Sequence, residues 1–417
     1  MRVPGLPHDV LYCFSSWASR SRILRSRRAL DRVLENAARF VPFYKDRLAR
    51  GKPGLRGIAP ISRVDVLAAP RLFRSRAIRD TSCYAKTSGT SGAPLRVWYD
   101  RASWYETNYS SYDIFRRAFP QLDGLFRPGR VGVALITTKP SRSDLNILVP
   151  ALSFARVIRR VFTDNPARCR ALAGELERAR PLLFYGKSAA LLHLLSIDAR
   201  SHLSPSGIIV GGEPLFEDVR EQLERRFRCP VLSTYASAEG GLMAIECLFR
   251  TGLHVLHNRV VLEVLRPDGG VGTAGNGELV LTNLWNWAMP FIRYRTGDYG
   301  TISTRKCPCG HTGQTITSLA GREPHTLRAG RRSVSTAAIA DALLPLNPSH
   351  FEVHASPRGS VLVRWRPRDA ADSSAAPFRS IRTALASLLS GTRIRSELLI
   401  DPAPPGGKIR RFVQLDT

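Results

Sequence analysis

Apolar runs and amphipathic stretches alternate between residues 130 and 235, and this alternation limits the fold more than any other feature of the chain. Four runs have the length and composition of buried strands: RVGVALITT (130–138), PLLFYG (181–186), GIIV (207–210) and VLSTY (231–235). Three stretches between them have helical spacing: RCRALAGELERARP (168–181), SAALLHLLSI (188–197) and FEDVREQLERRF (216–227). Strands that alternate with helices indicate an α/β fold with a mostly parallel sheet covered by helices.

The pattern changes from about residue 255 onward. VVLEVLRPDGGVG, GELVLTNLW and YGTIST alternate apolar and polar residues around Gly and Asp-Gly turns, which is typical of antiparallel strands or a distorted barrel. After the GR pair at 321–322 the chain gains Arg- and Pro-rich connections, and then a strand, a helix and a strand. We therefore predict two domains: a large N-terminal domain over 1–321 and a small α+β domain over 322–417.

The net charge of +28 is unusual for a chain of 417 residues, and 55 of its 62 basic residues are Arg. Such a charge suits nucleic acid or an anionic membrane. The basic clusters, such as those at 20–28 and 225–228, are however scattered, and no RRM, zinc-finger or basic-zipper pattern accompanies them. We interpret the excess as arginines on solvated faces and expect no nucleic-acid partner, although ATP, CoA or an acidic carrier protein would be attracted.

Membrane and secretion signals are the next features to consider. No run of about 18 apolar residues predicts a transmembrane helix. The first 22 residues have neither the apolar core nor the cleavage site of a signal peptide. We therefore expect a cytoplasmic protein without a membrane span, and the oligomeric state stays open, a homodimer included.

The segment TSGTSGAP (87–94) consists almost entirely of small residues. Glycine lets backbone N–H groups approach an anion, and the Thr and Ser hydroxyls add donors, so the segment suits a phosphate-binding loop. It is not the P-loop of the common NTPases, because the pattern GxxxxGK(S/T) is absent. Taken alone, it fits a flexible surface loop equally well.

Five segments in order resemble the motifs of the acyl-adenylate-forming superfamily, which contains acyl-CoA ligases, peptide-synthetase adenylation domains and luciferases. They are TSGTSGAP, GGEPL (211–215), YASAEGG (235–241), GELVLTNLWNWAMPFIRYRTGDYG (277–300) and PPGGKIRRF (404–412). The segment AMPFIRYRTGD, followed by CPCG and GR, is similar to the corresponding segment of the phenylacetate-CoA ligase branch. The resemblance implies a C-terminal domain that rotates between the two half-reactions, and ATP and Mg²⁺ as cofactor and metal.

The resemblance also assigns a role to each motif residue. The phosphates of ATP would be held by Thr87, Ser88, Gly89, Thr90, Ser91 and Gly92. The adenine pocket would be formed by Gly212, Glu213, Tyr235, Ala236 and Ser237, and the ribose would be bound by Asp298 and Arg322. The catalytic residues would be Glu239, which binds Mg²⁺, and Lys408, which bridges the carboxylate and the α-phosphate.

Three of these residues have plainer alternatives in the sequence itself. Glu239 could be an ordinary exposed carboxylate, Asp298 could form an Asx-type turn, and Lys408 could be a solvated lysine of the tail. Two positions also depart from the family pattern. Ala238 replaces a hydroxyl residue before the magnesium ligand, and EPHT (323–326) replaces paired acidic residues after the hinge.

The seven cysteines do not suggest a disulfide framework. Four are isolated and are expected in the core: Cys13, Cys83, Cys169 and Cys229. The others form, with one histidine, a complete tetrahedral set for a structural Zn²⁺: Cys247, His254, Cys307 and Cys309. ECLFRTGLH (246–254) together with CPCG is similar to the phenylacetate-CoA ligase branch, whereas the alternative is a pair of free cysteines in a tight turn.

The acid pocket is less clear from the sequence. Its candidates are mostly aromatic and would suit a flat aryl acid, but they could equally form core: Trp104, Tyr105, Tyr109, Tyr112, Tyr185, Ala236 and Gly240. The resemblance implies an ATP-dependent carboxylic-acid ligase that forms an acyl- or aryl-adenylate and transfers the acyl group to CoA. Two alternatives stay open: transfer to an amine, a hydroxyl or a carrier-protein thiol, and a degenerate adenylation fold that acts as a basic binding protein.

Overall fold

The computed structural model of the chain describes most of its length. The described residues are 29–48, 54–78, 83–87, 94–138, 146–149, 152–162, 165–197, 202–266, 268–321, 326–343, 346, 348–367, 376–398 and 412–415. Five residues of the predicted phosphate loop (88–92), together with Arg322 and Lys408, therefore lie outside the described residues. Among the described residues, no helix has the length and apolar character needed to cross a membrane.

The N-terminal part consists of short helices and one hairpin. Its elements are α1 (Ala29–Phe40), α2 (Pro42–Leu48), α3 (Arg63–Ala68), β1 (Cys83–Lys86), β2 (Arg96–Tyr99), α4 (Arg101–Tyr105) and α5 (Ser111–Ala118). A π-helical turn over Glu106–Ser110 joins α4 to α5. Pro42 is the first residue of α2, and α1 ends before it because proline cannot continue the hydrogen-bond ladder of a helix interior.

A single sheet of thirteen described strands forms the body of the molecule. Its strands are β3 (Val131–Thr137), β4 (Asn146–Val149), β5 (Ala155–Val161), β6 (Leu183–Gly186), β7 (Gly207–Val210), β8 (Val231–Ser237), β9 (Gly241–Glu246), β10 (Leu253–Val255), β11 (Val260–Leu265), β12 (Val271–Gly272), β13 (Gly275–Asn283), β14 (Tyr294–Ser303) and β15 (Thr315–Gly321). Their order is β12-β11-β13-β14-β15-β10-β9-β8-β7-β6-β3-β5-β4.

The part of this sheet from β5 to β8 is parallel and is covered by helices, as the sequence predicts. The covering helices are α6 (Pro166–Ala179), α7 (Ser188–Ile197) and α8 (Glu217–Phe227). Successive residues of β6 point to opposite faces of the sheet and belong to different hydrophobic cores. Phe184 packs in the core that contains residues of α6, α7 and α8, whereas Leu183 packs in the core that contains residues of α5. Burial of both faces explains why these strands read as continuous apolar runs.

The antiparallel strands continue the same sheet. In the described part of the chain, β12 lies at one edge and β4 at the other, and the strands from β9 to β15 pair antiparallel, as their alternating sequences predict. A register shift between Glu278 and Val280 interrupts the pairing of β13 with β14. Such bulges strengthen the local twist, and this one lies beside the TGD turn of the ribose motif.

The C-terminal part has its own sheet and core. Its elements are β16 (Thr326–Ala329), β17 (Arg332–Ser335), α9 (Thr336–Leu343), β18 (Pro348–Ser356), β19 (Ser360–Pro367), α10 (Ala376–Leu385), β20 (Arg393–Leu398) and β21 (Phe412–Gln414). Four strands form a sheet of order β20-β19-β18-β21, and Trp365 and Ile381 belong to the core that it shares with the helices. The predicted fold class is thus confirmed, whereas the domain boundary at 321/322 stays a prediction.

Candidate active site

The predicted phosphate loop is the connection between the two strands of the β1–β2 hairpin. Thr87, its first residue, accepts a hydrogen bond at Oγ1 from the Leu95 backbone N–H (3.1 Å), and its own N–H donates to the Leu95 carbonyl (2.9 Å). The two ends of the small-residue segment are therefore held together. The segment that the sequence predicts to bind phosphate therefore begins and ends at two paired strands.

A cation lies at the base of this hairpin. Arg63 Nη1 donates to Thr87 Oγ1 at 3.0 Å, and the bond is partly buried. Arg63 is the first residue of α3, whose N-terminus is fixed by a capping box between Ser62 and Asp65. The segment before α3 is bonded to β14, where Ile61 N–H donates to the Arg293 carbonyl and Arg295 N–H donates to the Ile61 carbonyl. Arg63 could not be found from a sequence motif, because its contact with Thr87 joins positions 24 residues apart.

The predicted magnesium ligand lies on the turn between β8 and β9. Glu239 is buried, with 2% of its surface exposed, and its Oε1 accepts a hydrogen bond from Tyr294 Oη at 3.1 Å. Tyr99, at the end of β2, donates a hydrogen bond to the carbonyl of Ala238, the residue directly before Glu239. Burial and the nearby Glu239 carboxylate raise the pKa of Tyr99 above its usual range, so Tyr99 stays a neutral donor. The interpretation of Glu239 as an ordinary exposed carboxylate is wrong.

Two asparagines of the NLWNWAMP segment bind the turn that carries Glu239 and the β1–β2 hairpin. Asn283 Nδ2 donates to the Glu239 carbonyl at 2.9 Å, and Asn286 Nδ2 donates to the Trp98 carbonyl at 2.9 Å. Asn283 Oδ1 accepts from the backbone N–H of Trp285 and of Asn286, both at 2.7 Å. These bonds explain why the polar residues in an otherwise apolar segment are buried.

The predicted adenine and ribose residues meet directly. Tyr235 Oη donates to Asp298 Oδ2 at 2.8 Å, although the two residues lie 63 positions apart. Asp298 is on β14, where its backbone N–H donates to Thr296 Oγ1 at 3.0 Å. The turn of this strand is thus held by the Thr296 hydroxyl, and the Asp298 carboxylate faces Tyr235. Ala236 follows on β8, and Ser237 Oγ accepts the Gly240 N–H at 3.0 Å.

The GGE motif forms the connection after β7. A Cβ on Gly211 would lie 2.6 Å from Thr234 Oγ1 and 2.9 Å from Tyr185 Cε2, and Gly212 has a φ of +83°. Glycine is required at both positions, at the first for space and at the second for its left-handed backbone. Glu213 is buried, and its Oε1 accepts the Ala189 N–H at 3.1 Å near the N-terminus of α7. Glu213 therefore fixes a helix end beside the predicted adenine pocket.

The aromatic candidates for the acid pocket divide into two groups. Trp104, Tyr105, Tyr109 and Tyr112 are buried, and burial raises the pKa of Tyr112 above its usual range. Tyr185 is half-buried and lies beside Gly211. Its ring centroid is 4.9 Å from that of Phe115, which the sequence did not single out. The core interpretation thus fits the first group, whereas Tyr185 borders the predicted nucleotide site.

The four predicted zinc ligands come together at one place. They are Cys247 after β9, His254 on β10, and Cys307 and Cys309 in the connection between β14 and β15. Their ligand atoms all lie within 4.8 Å of one another. Cys247 Sγ is 3.8 Å from Cys307 Sγ, and Cys309 Sγ is 3.8 Å from His254 Nδ1.

These distances fit a tetrahedral metal. With a Zn–S bond of about 2.3 Å, two thiolates of a tetrahedron lie about 3.8 Å apart. Burial, and secondarily His311, lower the pKa of His254 to about 4, so its imidazole is neutral and able to bind a metal. Burial acts to raise the pKa of Cys307, but hydrogen bonds from Thr251 and from the Cys309 backbone outweigh it and lower the pKa. Burial raises the pKa of Cys247 to about 11, so Cys247 would lose its proton only on binding the metal. The donor set therefore fits Zn²⁺, with no position left for a substrate.

Comparisons with known sequences identify one group of enzymes. No protein-family model matches the chain. A phenylacetate-coenzyme A ligase of Thermus thermophilus is 32% identical over 125 residues, which are 29% of this chain and 28% of the relative. A phenylacetate-coenzyme A ligase of Escherichia coli is 36% identical over 95 residues, 22% of each chain. The matches thus span less than a third of the length of these curated relatives.

Comparisons with solved structures cover more of the chain. The 2-hydroxyisobutyryl-CoA ligase in its postadenylation state has a TM-score of 0.71 at 19% identity, over 95% of this chain and 90% of that one. The anthranilate CoA ligase AuaEII in complex with anthranoyl-AMP has a TM-score of 0.52 at 16% identity, over 78% and 65%. The chain therefore has the fold of the adenylate-forming ligases, and its resemblance to their phenylacetate-CoA ligase branch is confirmed.

Proposed function

We propose that the chain is an ATP-dependent, AMP-forming ligase that joins a carboxylic acid to CoA through an acyl-adenylate. The observation that supports this proposal is the bond between Tyr235 and Asp298, because it joins the predicted adenine and ribose residues in one place. The turn of Glu239 is bonded to the same strand, β14, and to the end of the glycine hairpin. Phenylacetate-CoA ligases among the relatives, and solved ligases bound to adenylates and CoA, point to the same chemistry.

In the first half-reaction, a carboxylate oxygen of the acid attacks the α-phosphorus of ATP, and the bond to pyrophosphate breaks. Backbone and hydroxyl donors of the hairpin loop that begins at Thr87 would bind the departing phosphates. Asp298 would accept hydrogen bonds from the ribose hydroxyls and so fix the α-phosphorus in position. Mg²⁺, when bound by Glu239, would neutralise charge on the phosphates. Lys408, by its motif, would supply the cation between the carboxylate and the α-phosphate.

In the second half-reaction, the thiol sulfur of CoA attacks the acyl carbon and AMP leaves with the bonding electrons. The 2-hydroxyisobutyryl-CoA ligase has been solved with 2-HIB-AMP and CoA in its thioesterification state, at a TM-score of 0.57 to this chain, which supports CoA as the acceptor. Transfer to an amine, a hydroxyl or a carrier-protein thiol is the second candidate. A degenerate fold that only binds is disfavoured by Glu239 and Asp298, since both keep polar partners within the site.

We propose in addition that the carboxylic-acid substrate is an aryl acid. The half-buried ring of Tyr185 lies beside Gly211 and supports an aryl acid, and the buried ring of Phe115 packs against it. We further propose that Cys247, His254, Cys307 and Cys309 hold a structural Zn²⁺ that joins β9 and β10 to the connection before β15. A cytoplasmic location and a homodimer stay predictions from the sequence.

The decisive experiment is ATP–pyrophosphate exchange across a panel of aryl, fatty and amino acids. The expected result is exchange with aryl acids in the wild-type chain and at least about a hundredfold less in Lys408→Ala, because the anionic transition state loses its cation. CoA and amines are then tested as acceptors by mass spectrometry of the product. Failure of ATP and Mg²⁺ to bind, measured by calorimetry, would overturn the proposal.

A further inference from the structure

A basic groove lies in the C-terminal part of the molecule, far along the chain from the predicted site residues that the structure describes. Its cavity has a volume of about 700 Å³ and lies between α10 and the strands β19 and β20. Four arginines line it, two from the helix and two from the strand: Arg379, Arg382, Arg393 and Arg395. All four are exposed. The groove therefore presents four basic side chains to solvent.

The four guanidinium groups are not neutralised by neighbours in the described part of the chain. Glu397 is the one acidic residue among the lining side chains, and its Oε1 already accepts from Arg364 Nε at 2.7 Å. In that part of the molecule no carboxylate pairs with Arg379, Arg382, Arg393 or Arg395. The groove therefore has an uncompensated positive charge that an anionic partner would complement.

The same groove borders an open strand edge. Within the described residues, β20 is the terminal strand of its sheet and pairs only with β19. The backbone N–H of Arg393 donates toward β19, to the Gly359 carbonyl at 3.0 Å. Because backbone groups alternate in direction along a strand, those of Ile394 and Ser396 point to the open edge. An extended peptide can pair with such an edge.

We propose that this edge binds an acidic, extended segment of a partner protein, which adds a strand beside β20. Arg393 and Arg395 lie two positions apart on one face of β20, at a spacing of about 6.8 Å. Carboxylates at every second position of an added strand would lie directly opposite them. Arg379 and Arg382 lie one helical turn apart on α10 and reach the same groove.

Other occupants fit the groove less well. A second copy of this chain, paired antiparallel through the same edge with Arg393 opposite Arg395, would place arginines against arginines, and like charges on neighbouring strands repel. A nucleic acid would be expected to stack its bases on exposed aromatic rings. The only aromatic ring among the lining residues is that of Phe378, which is half-buried. An acidic strand uses both the charge and the open backbone.

The test measures binding of a fluorescein-labelled heptapeptide of alternating Glu and Val to the full chain by anisotropy. Its matched peptide has Gln in place of Glu. We expect Arg393→Glu combined with Arg395→Glu to weaken binding at least tenfold. The pair Arg168→Glu and Arg170→Glu, which changes the charge equally on the exposed surface of α6, should change binding less than twofold. Equal weakening by both pairs would overturn the proposal, because only net charge would then matter.

A second pair of variants tests the strand addition itself. Ser396→Pro removes one backbone N–H at the open edge and leaves the N–H groups that face β19. Ser396→Ala keeps the N–H groups on both sides of the strand. We expect Ser396→Pro to weaken binding about tenfold and Ser396→Ala to leave it unchanged, with folding of both checked by circular dichroism. Unchanged binding in Ser396→Pro would overturn strand addition. Preferential binding of single-stranded DNA of the same charge in competition would overturn the protein partner.

Discussion

Tyr235 and Asp298 share a hydrogen bond of 2.8 Å across two strands of the central sheet. The phenol of Tyr235 therefore directs one carboxylate oxygen of Asp298 within the proposed ribose site. The backbone N–H of Asp298 donates to Thr296 Oγ1, and this bond holds the turn on which the carboxylate lies. A residue expected from its motif to stack on adenine thus also orients the residue expected to bind ribose.

Tyr235→Phe keeps the ring and removes this bond. A hydrogen bond to a charged group contributes about 1.5–3 kcal/mol. Since the ribose hydroxyls would replace part of that bonding, we expect the KM for ATP to rise about tenfold with kcat within about twofold. Pyrophosphate exchange at varied ATP measures both constants. Tyr299→Phe, at an exposed position of the same strand, is the control, and a fall in kcat alone in Tyr235→Phe would contradict the positioning role.

The bond between Tyr294 and Glu239 leads to a second prediction. Glu239→Gln removes the negative charge that Mg²⁺ requires, so we expect kcat to fall at least about a hundredfold and the Mg²⁺ concentration at half-maximal rate to rise. Tyr294→Phe keeps the charge and loses one donor at 3.1 Å, and a smaller fall of about tenfold is expected. Magnesium titrations of the exchange rate measure both variants. An unchanged Mg²⁺ requirement in Glu239→Gln would show that the metal is bound elsewhere.

Arg63 and Thr87 are joined by a partly buried bond of 3.0 Å at the base of the glycine hairpin. We expect Arg63→Ala and Thr87→Val each to raise the KM for ATP about tenfold. The double variant should be little worse than either, because residues that act through one contact are not additive. A double-mutant cycle on ATP affinity measures the coupling. Fully additive effects would mean that Arg63 acts without Thr87.

The sequence was sufficient for the parallel half of the fold because each strand there is buried on both faces. GIIV and SAALLHLLSI have the predicted bounds, and the other predicted elements of that region shift by only a few residues, whereas β4 and β5 were not predicted. The antiparallel pairing after residue 255 was predicted, but the order of the strands was not, because alternation along a strand indicates two different faces but not which neighbour it pairs with. In the described chain the antiparallel strands pair onward from β8 through β9, so one sheet results.

The site was predictable where a motif is contiguous and not where a contact is long-range. Glu239 and Asp298 were singled out. Tyr294, which donates to the Glu239 carboxylate, and Tyr99, which donates to the Ala238 carbonyl, were not, since a tyrosine in an apolar run reads as core. The same holds for Asn283, whose amide holds the turn of Glu239. Buried polar residues within apolar segments are the signal that could have found these residues.

Arg220 offers a matched comparison of buried and exposed ion pairs. It bonds Glu246 through two nitrogens at 3.0 Å, where Glu246 is 10% exposed, and it also bonds Glu217, which is 69% exposed. Glu246→Ala leaves a buried guanidinium without its main partner and should lower the free energy of unfolding by about 3–5 kcal/mol. Glu217→Ala should lower it by about 0–1 kcal/mol. Urea unfolding of the two variants measures the difference, and similar losses would contradict this account.

The cysteine and histidine cluster leads to the last prediction. Because a structural metal contributes to folding free energy, we expect one equivalent of zinc by elemental analysis and a lower melting temperature after chelation. Cys309→Ser removes an exposed ligand with little loss of packing and should have the same two effects. Cys229→Ala is the control, since burial and Glu224 raise the pKa of Cys229 to about 12 and it lies outside the cluster.

Alkylation tests the same site independently of stability. With zinc bound, Cys309 should be protected from iodoacetamide although it is exposed, because its thiolate is coordinated. After chelation it should react first, whereas Cys229 stays unreacted because it is buried and protonated. Mass spectrometry of the labelled peptides measures both sites. The contrary outcome is that elemental analysis finds no zinc and that Cys309 is labelled at the same rate with and without chelator. The cluster would then be a set of free thiols.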